Sequence, residues 1–200
     1  MSKKIAKRFA GLLPVVVDAE TGGIDPTRDA LLELAACPLV YSDQNKLKAG
    51  SMWHYHIEPF MGSNISKESL EVTQIIPDHP FRFAVTEANM LQDLSQKVKT
   101  MCDQYHCRRA VLVGHNAAFD LSFLNAAYER VGLRSPFHRF VTIDSTSLCA
   151  VWYKETVLAR AMMRAKISFN TESAHSALYD CEKTAELVCK IINLVDHRSY

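Results

Sequence analysis

The sequence predicts an α/β domain in which a mixed five-stranded sheet is flanked by helices on both faces. Two observations lead to this fold class. Short apolar runs indicate buried strands, and longer segments with apolar residues every three or four positions indicate amphipathic helices. Three strand patterns precede an alternation of helices and strands, and this order is typical of a mixed sheet covered on both sides.

The strand patterns are mainly apolar runs, many of them β-branched, that stop at acidic, glycine or turn residues. They lie at residues 15–18, 32–41, 53–58, 110–114 and 141–144. The helical patterns lie at residues 87–105, 120–131, 145–164 and 178–194. The last is the clearest, because Leu178, Cys181, Ala185 and Val188 form one apolar stripe that leaves the charged residues outside it.

Length and composition favour one compact domain. The chain has 200 residues, 48% of them hydrophobic, and no Gly/Ser/Pro-rich linker, so residues 1–200 are expected to form a single domain with a short basic N-terminal segment at 1–13. We expect no signal peptide and no membrane span. Six cysteines without a CxxC pair predict reduced thiols, and the chain is therefore expected to be cytoplasmic.

The segment DAET, from Asp18 to Thr21, carries the clearest chemistry. Side chains alternate along a strand, so Asp18 and Glu20 should point to the same side. Two carboxylates at a buried strand repel each other, and a divalent cation resolves the conflict most simply. Gly22 and Gly23 are expected to end the strand and to admit a bulky ligand to the backbone.

Two further segments place acids at the starts of helices. In HNAAFD, Asp120 follows the strand pattern at 110–114 and can turn toward the strand ends. An acid that only complements the helix dipole in the first turn would give the same pattern. In HSALYD, His175 and Asp180 are five residues apart and do not share a helix face. We expect His175 on a loop and Asp180 on the helix that follows.

These five positions resemble the DEDD exonucleases of the ribonuclease H-like superfamily, in the subgroup whose third motif carries a histidine. The segments HIEPFMGSNI, SPFHRFVTID and AHSALYD extend the resemblance to the ribonuclease T family over nearly the whole chain. The resemblance implies a cytoplasmic homodimer that trims the 3′ ends of tRNA and other stable RNAs and also degrades single-stranded DNA ends. It implies a ribonuclease H-like fold.

The resemblance also implies a role for each residue. Asp18 would bridge two Mg²⁺ ions, for which Mn²⁺ can substitute; Glu20 and Asp180 would complete one of these sites and Asp120 would support the other. Oxygen ligands without paired Cys/His spacing independently favour Mg²⁺ over zinc. His175 would be the general base. Free imidazole titrates near pH 6.5, so activity is expected to fall below about that pH.

The net charge of +1 is too small to indicate a polyanion partner. Any contacts to nucleic acid are therefore expected at local clusters of basic and aromatic residues. By resemblance, three arginines would form a basic patch that receives RNA, and five further side chains would hold the terminal bases. The basic residues are Arg8, Arg109 and Arg134. The base-contacting residues are Phe119, Phe140, Glu68, Ile24 and Val72, where Ile24 and Val72 stand in place of the family's phenylalanines.

Other functions fit the same residues. A proofreading-type DNA exonuclease or an oligoribonuclease uses the same five site residues, and substrate length and sugar would distinguish them. A noncatalytic RNA-binding protein would keep the basic patches without the chemistry, and the intact site residues argue against it. A metal phosphatase would release inorganic phosphate instead of nucleoside 5′-monophosphates.

Overall fold

The fold was analysed in a computed structural model, which describes residues 2–198. The strands are β1 Leu12–Thr21, β2 Leu31–Tyr41, β3 Leu47–Ala49, β4 Trp53–His56, β5 Arg109–Gly114 and β6 Phe137–Asp144. The helices are α1 Ser2–Arg8, α2 Lys67–Thr73, α3 Glu87–Gln104, α4 Ala117–Val131, α5 Ser145–Tyr153, α6 Leu158–Ala165 and α7 Ala177–Arg198, with a 3₁₀ helix at Pro80–Arg82.

The sheet is mixed, as predicted, and has six strands instead of five. Its order is β3-β2-β1-β5-β6, and β4 also pairs with β2. Strands β1, β5 and β6 run parallel, whereas β2 is antiparallel to β1, β3 and β4. The strand missing from the sequence prediction is β3, which at three residues is too short to carry a pattern.

Both faces of the sheet are covered. Consecutive residues of a strand point to opposite faces, yet Val15, Val16 and Val17 are all fully buried. Helix α7 packs on β1, β2 and β3, and helices α3 and α4 pack on β5. A second, smaller apolar cluster joins α5, α6 and α7 through residues such as Cys149, Met162 and Leu187. The α/β class with flanking helices is therefore confirmed.

The helix predicted at residues 145–164 is two helices. Helix α5 ends at Lys154, which has φ 54°, and α6 begins at Leu158. A carboxylate oxygen of Glu155 accepts hydrogen bonds from the backbone N–H groups of Thr156 and Val157, so the segment between the helices has its own partners. Side-chain periodicity continues across this break and conceals it.

Two other sequence features have clear structural outcomes. All six cysteines are buried and free, in agreement with the absence of CxxC spacing. Among residues 2–198, none of the helices combines the length and apolar character needed to span a bilayer.

Candidate active site

Strand β1 carries the first two acids inside the sheet and not at its end. The sequence placed the end of the strand at Asp18, but pairing continues to Thr21, with Asp18 opposite Ala35 and Glu20 opposite Glu33. The register shifts between Glu20 and Thr21, where a bulge ends the regular pairing. Because alternate strand residues share a face, the side chains of Asp18 and Glu20 lie on the same side of the sheet.

Gly22 and Gly23 directly follow the end of β1 at Thr21, as predicted, and the space that their side chains would fill belongs to the protein itself. A Cβ at Gly22 would lie 2.7 Å from the carbonyl oxygen of Asn64, and one at Gly23 would lie 2.1 Å from a carboxylate oxygen of Asp29. The space beside both glycines is occupied by the protein's own loops. These glycines therefore allow the chain after β1 to pack closely on itself.

Asp120 lies in the first turn of α4 and is only 5% exposed, so it is not a surface helix cap. A carboxylate oxygen of Asp144 fixes the start of this helix by accepting hydrogen bonds from the backbone N–H groups of Asn116 and Ala117. Gly114 ends β5, and a Cβ there would lie 3.2 Å from an Asp120 carboxylate oxygen. The missing side chain thus lets Asp120 approach the strand end.

His175 and Asp180 lie on either side of the start of α7, as their spacing predicted. The backbone N–H of His175 donates to Oδ2 of Asp180 at 2.9 Å, and His175 has φ 65°. The other oxygen of Asp180 is buried and has no hydrogen-bond partner among the described residues. One Asp180 oxygen thus orients the histidine loop, and the other is left for a further partner.

Three carboxylates converge at this edge. Single oxygens of Asp18, Glu20 and Asp180 all lie within 4.8 Å of one another. Burial, and then the neighbouring carboxylates, raise the pKa of Glu20 to about 8 and that of Asp18 well above its usual range. Burial likewise raises the pKa of Asp180. The protein holds these groups where their ionised forms repel, which is the electrostatic setting of a cation site.

Asp120 interacts electrostatically with these carboxylates, although it is not one of the three residues whose oxygens cluster. Burial raises its pKa well above the usual range, and Asp120 in turn contributes to the raised pKa of Asp18. The side chain of His175 is exposed and lines a cleft of about 490 Å³ together with Val72 of α2 and Tyr179 of α7. The five residues predicted from sequence are thus placed at one edge of the molecule.

The side chains predicted to hold bases are mostly exposed. Ile24 is 86% exposed, Phe140 is 80% exposed and Val72 is 52% exposed. Phe119 is half-buried, with its ring centroid 5.0 Å from that of Phe123. Glu68 is exposed in the first turn of α2. Large exposed apolar groups are costly in water, so the exposure of these side chains favours a binding role.

The three predicted arginines lie at the opposite edge of the sheet. Arg8 ends the helix that precedes β1, Arg109 begins β5, and exposed Arg134 comes shortly before β6. These strands are parallel, so their starts share one edge and the acids lie at the other. Along β1 the separation from Leu12 to Asp18 is about 20 Å, at about 3.3 Å per residue.

Comparison with known proteins decides the family. Residues 15–188 match the family model described as "Exonuclease", RNase_T, which covers most of the chain. The chain belongs to this exonuclease family. The family is metal-dependent, and in this chain Asp18, Glu20 and Asp180 form an acidic cluster that could hold a metal ion.

Solved exonucleases share the fold at low sequence identity. An Escherichia coli exonuclease I bound to a dT13 oligonucleotide is 15% identical, with a TM-score of 0.69 over 93% of this chain and 43% of that chain. A full-length 3′-exonuclease is 16% identical, with a TM-score of 0.71 over 92% and 82%. A 3′-exonuclease that recognises a histone mRNA stem-loop is 15% identical, with a TM-score of 0.71 over 90% and 63%. The chain thus spans less than half of that exonuclease I.

Sequence reasoning missed two features of this exonuclease. His115 was read only as part of a motif, but its Nε2 donates to the carbonyl of Thr156 and its Nδ1 accepts from the hydroxyl of Ser145. It thereby ties the α5–α6 connection to the end of β5. Glu33 was read as an ordinary strand residue, although it faces Glu20 across the sheet. The single charged residue within the apolar run at 32–41 was the signal that could have identified it.

Proposed function

We propose that this protein is a 3′-to-5′ exoribonuclease that trims the 3′ ends of tRNA and other stable RNAs and releases nucleoside 5′-monophosphates. The observation that carries the proposal is the convergence of Asp18, Glu20 and Asp180 beside the His175 loop. Membership of the exonuclease family supports nucleic acid as the substrate. We further propose that residues 1–200 act as a single exonuclease domain and that it works in the cytoplasm, where its six free thiols stay reduced.

The site residues fit divalent metal ions. The donors are all carboxylate oxygens, they lie within 4.8 Å of one another, and one oxygen of Asp180 is buried without a partner in the described chain. This donor set suits Mg²⁺, and Mn²⁺ can substitute. Asp18, Glu20 and Asp180 would hold one ion, and Asp18 with Asp120 would hold a second. The chemistry supplied by two such ions is activation of water and stabilisation of the leaving oxygen.

The chain's own residues position the reactants and move the proton. His175 is exposed on a loop whose backbone is hydrogen-bonded to Asp180, so its imidazole can reach a water at the acid cluster. Neutral imidazole accepts the proton from that water as the water attacks the scissile phosphorus. Release of a nucleoside 5′-monophosphate, as proposed, requires the bond between phosphorus and the 3′ oxygen of the preceding nucleotide to break.

We assign binding of the 3′ end to five further side chains, four of them exposed and one half-buried. Phe140 and Phe119 would stack on terminal bases, because every base offers a face to an aromatic ring. Ile24 and Val72 would wedge against bases without offering a ring face. Glu68 would contact the terminal base from α2.

The distance between the two edges supports a dimer of the kind that the resemblance implies. Arg109 pairs with Leu12, about 20 Å along the sheet from Asp18, and Arg8 and Arg134 lie near the same strand starts, so one chain's basic edge would not contact the phosphate being cleaved. We propose a C2 homodimer in which the basic edge of each subunit receives RNA and directs it to the acids of the other. A monomer in solution at assay concentrations would contradict this arrangement.

The first experiment is a 3′-trimming assay. Purified protein is incubated with Mg²⁺ and a 5′-labelled tRNA bearing a short single-stranded 3′ end, and products are resolved to one nucleotide. Asp18→Asn should slow shortening by about 10³- to 10⁴-fold, the range for loss of a group on which catalysis depends. Asp103→Asn, an exposed acid on α3, is the matched control and should trim normally.

A single-stranded DNA exonuclease is the second candidate. By resemblance, Ile24 and Val72 stand where the family has phenylalanines, and a solved exonuclease of the same fold binds a dT13 oligonucleotide. An oligo-dT substrate assayed beside the RNA distinguishes the two functions. Faster shortening of DNA than of RNA by the parent protein would favour the DNA enzyme, and an untouched RNA and DNA would contradict both.

A further inference from the structure

A second group of metal-ligating side chains lies outside the carboxylate cluster. Strand β4 pairs with β2 so that Glu33 is opposite His56 and Ala35 is opposite His54. Residues two apart on a strand share a face, and directly opposed residues share a face across the sheet. Glu33, His54 and His56 therefore project from the same side.

The three side chains meet. Nε2 of His54 lies 2.5 Å from Oε1 of Glu33, and the two imidazole rings stand edge to face with centroids 4.7 Å apart. One ligand atom from each residue lies within 4.8 Å of the other two. The donor set contains two imidazoles, so it is chemically different from the all-oxygen cluster of Asp18, Glu20 and Asp180.

A separate observation points to a ligand at this group. Nδ1 of His56 is buried and has no hydrogen-bond partner within the part of the chain that the structure describes. A buried imidazole nitrogen without a partner costs free energy. His56 thus has a nitrogen that makes no hydrogen bond to the described protein, and its side chain lies next to a carboxylate and a second imidazole.

We propose that Glu33, His54 and His56 bind a zinc ion. Two histidines and one glutamate are a recurrent three-ligand zinc set that leaves one position for water. Ligand atoms bound at about 2.0–2.1 Å across a tetrahedral angle are about 3.4 Å apart. Zinc would therefore widen the direct 2.5 Å contact of His54 with Glu33 by about 1 Å.

The surroundings of the site are compatible with a cation. The side chain of His54 is 28% exposed, which provides an entry path, whereas Glu33 is almost fully buried. The guanidinium of Arg82 donates to the carbonyls of Leu32 and Ile57, which are the sequence neighbours of Glu33 and His56. Glu33 is paired with Glu20 in the sheet, so a second acid lies beside the proposed site.

Zinc at this position would have two consequences. It would tie the short strand β4, at four residues, to the central strand β2. It would also compensate the charge of Glu33, which faces the acid cluster through Glu20. The zinc ion would thus act as a structural support beside the proposed catalytic centre and would not replace the ions held by Asp18.

The test measures zinc directly. The Asp18→Asn protein, in which the carboxylate cluster is disrupted, is equilibrated with Zn²⁺, dialysed and analysed for metal per chain. We expect one equivalent, lost in His54→Gln and His56→Gln made in the same background. His79→Gln is the matched control, because His79 lines the same 260 Å³ hollow as His56 but is not in the cluster. Affinity should fall by more than the roughly 10–100-fold cost of losing an outer partner.

Cobalt absorption and thermal unfolding provide two further readouts. Co²⁺ should give the strong visible absorption of a four-coordinate site with nitrogen and oxygen ligands in the Asp18→Asn parent and in its His79→Gln variant, and not in its His54→Gln variant. Zn²⁺ should raise the melting temperature of the same two proteins only. Retention of zinc by both histidine variants, or absence of zinc and of the cobalt bands in folded parent protein, would overturn the proposal. Either result leaves the proposed nuclease function untouched, because that function depends on Asp18.

Discussion

The two edges of the central sheet differ in charge and in burial. At the carboxyl ends of β1 and β5, acids are held in protein surroundings that raise their pKa, as for Asp18 and Asp120. At the other edge, Arg8 and Arg134 are exposed. Parallel strands impose this separation, because all of their starts share one edge. This contrast underlies the proposal that chemistry and capture of the RNA take place at separate edges of one chain.

Removal of the proposed general base at the acidic edge should have the largest effect on activity and tests whether chemistry occurs there. His175→Gln should reduce turnover by about 10²- to 10⁴-fold, the usual contribution of general-base catalysis. RNA affinity and Mn²⁺ binding should be unchanged, because the acids remain. Binding and single-turnover rates are measured separately on the same RNA. His79→Gln, at the start of the 3₁₀ helix, is the control, and full activity of His175→Gln would remove His175 from the mechanism.

The metal-free acidic edge should lose stability as pH rises. In the folded protein Glu20 has a pKa of about 8, against 4.5 for an unperturbed glutamate. Between these values the folded state holds a proton that the unfolded state releases, so the free energy of unfolding falls by up to about 1.4 kcal/mol per pH unit.

Urea unfolding in EDTA between pH 5 and pH 8 measures this slope. Glu20→Gln should flatten it, and saturating Mg²⁺ should oppose it by binding the ionised form. Stability that increases over this range in the metal-free protein would contradict the electrostatic account of the site.

Loss of an aromatic contact to the RNA should have a smaller effect. Phe140→Ala should weaken binding of a single-stranded 3′ end by about 1–3 kcal/mol, the contribution of one stacked base. Phe81→Ala is the matched control, because Phe81 is 74% exposed and lies outside the proposed contacts. Equal weakening by both changes would show that Phe140 has no specific role.

The smallest effect is expected at the basic edge. Arg109→Ala should lower RNA affinity and reduce the slope of log affinity against log salt by about one unit, since one phosphate contact is lost. Turnover of bound RNA should not change. Arg164→Ala is the control, because Arg164 lies on α6 away from the three predicted arginines. An unchanged slope for Arg109→Ala would place this residue outside the path of the RNA.

The sequence was most informative where one element carries the signal. The β-branched run before Asp18 and the apolar stripe of α7 predicted a strand and a helix that the structure confirms. Prediction was poorer where spatial neighbours decide the conformation. The break at Lys154 depends on bonds made by Glu155, and the role of Gly23 depends on Asp29 beside it. Neither contact can be predicted from the periodicity of apolar side chains in the sequence.

The chain by itself determined the fold class and the order of its acidic motifs, because strand and helix periodicities and short acidic segments are local properties of the sequence. Only the tertiary structure decided which groups meet. Asp18 and Asp180 are far apart in sequence yet contribute oxygens to one cluster. Glu33 and His54 join through strand pairing. Such convergence depends on the register of β2 with β1 and β4, which is set by packing across the whole sheet and not by any one segment.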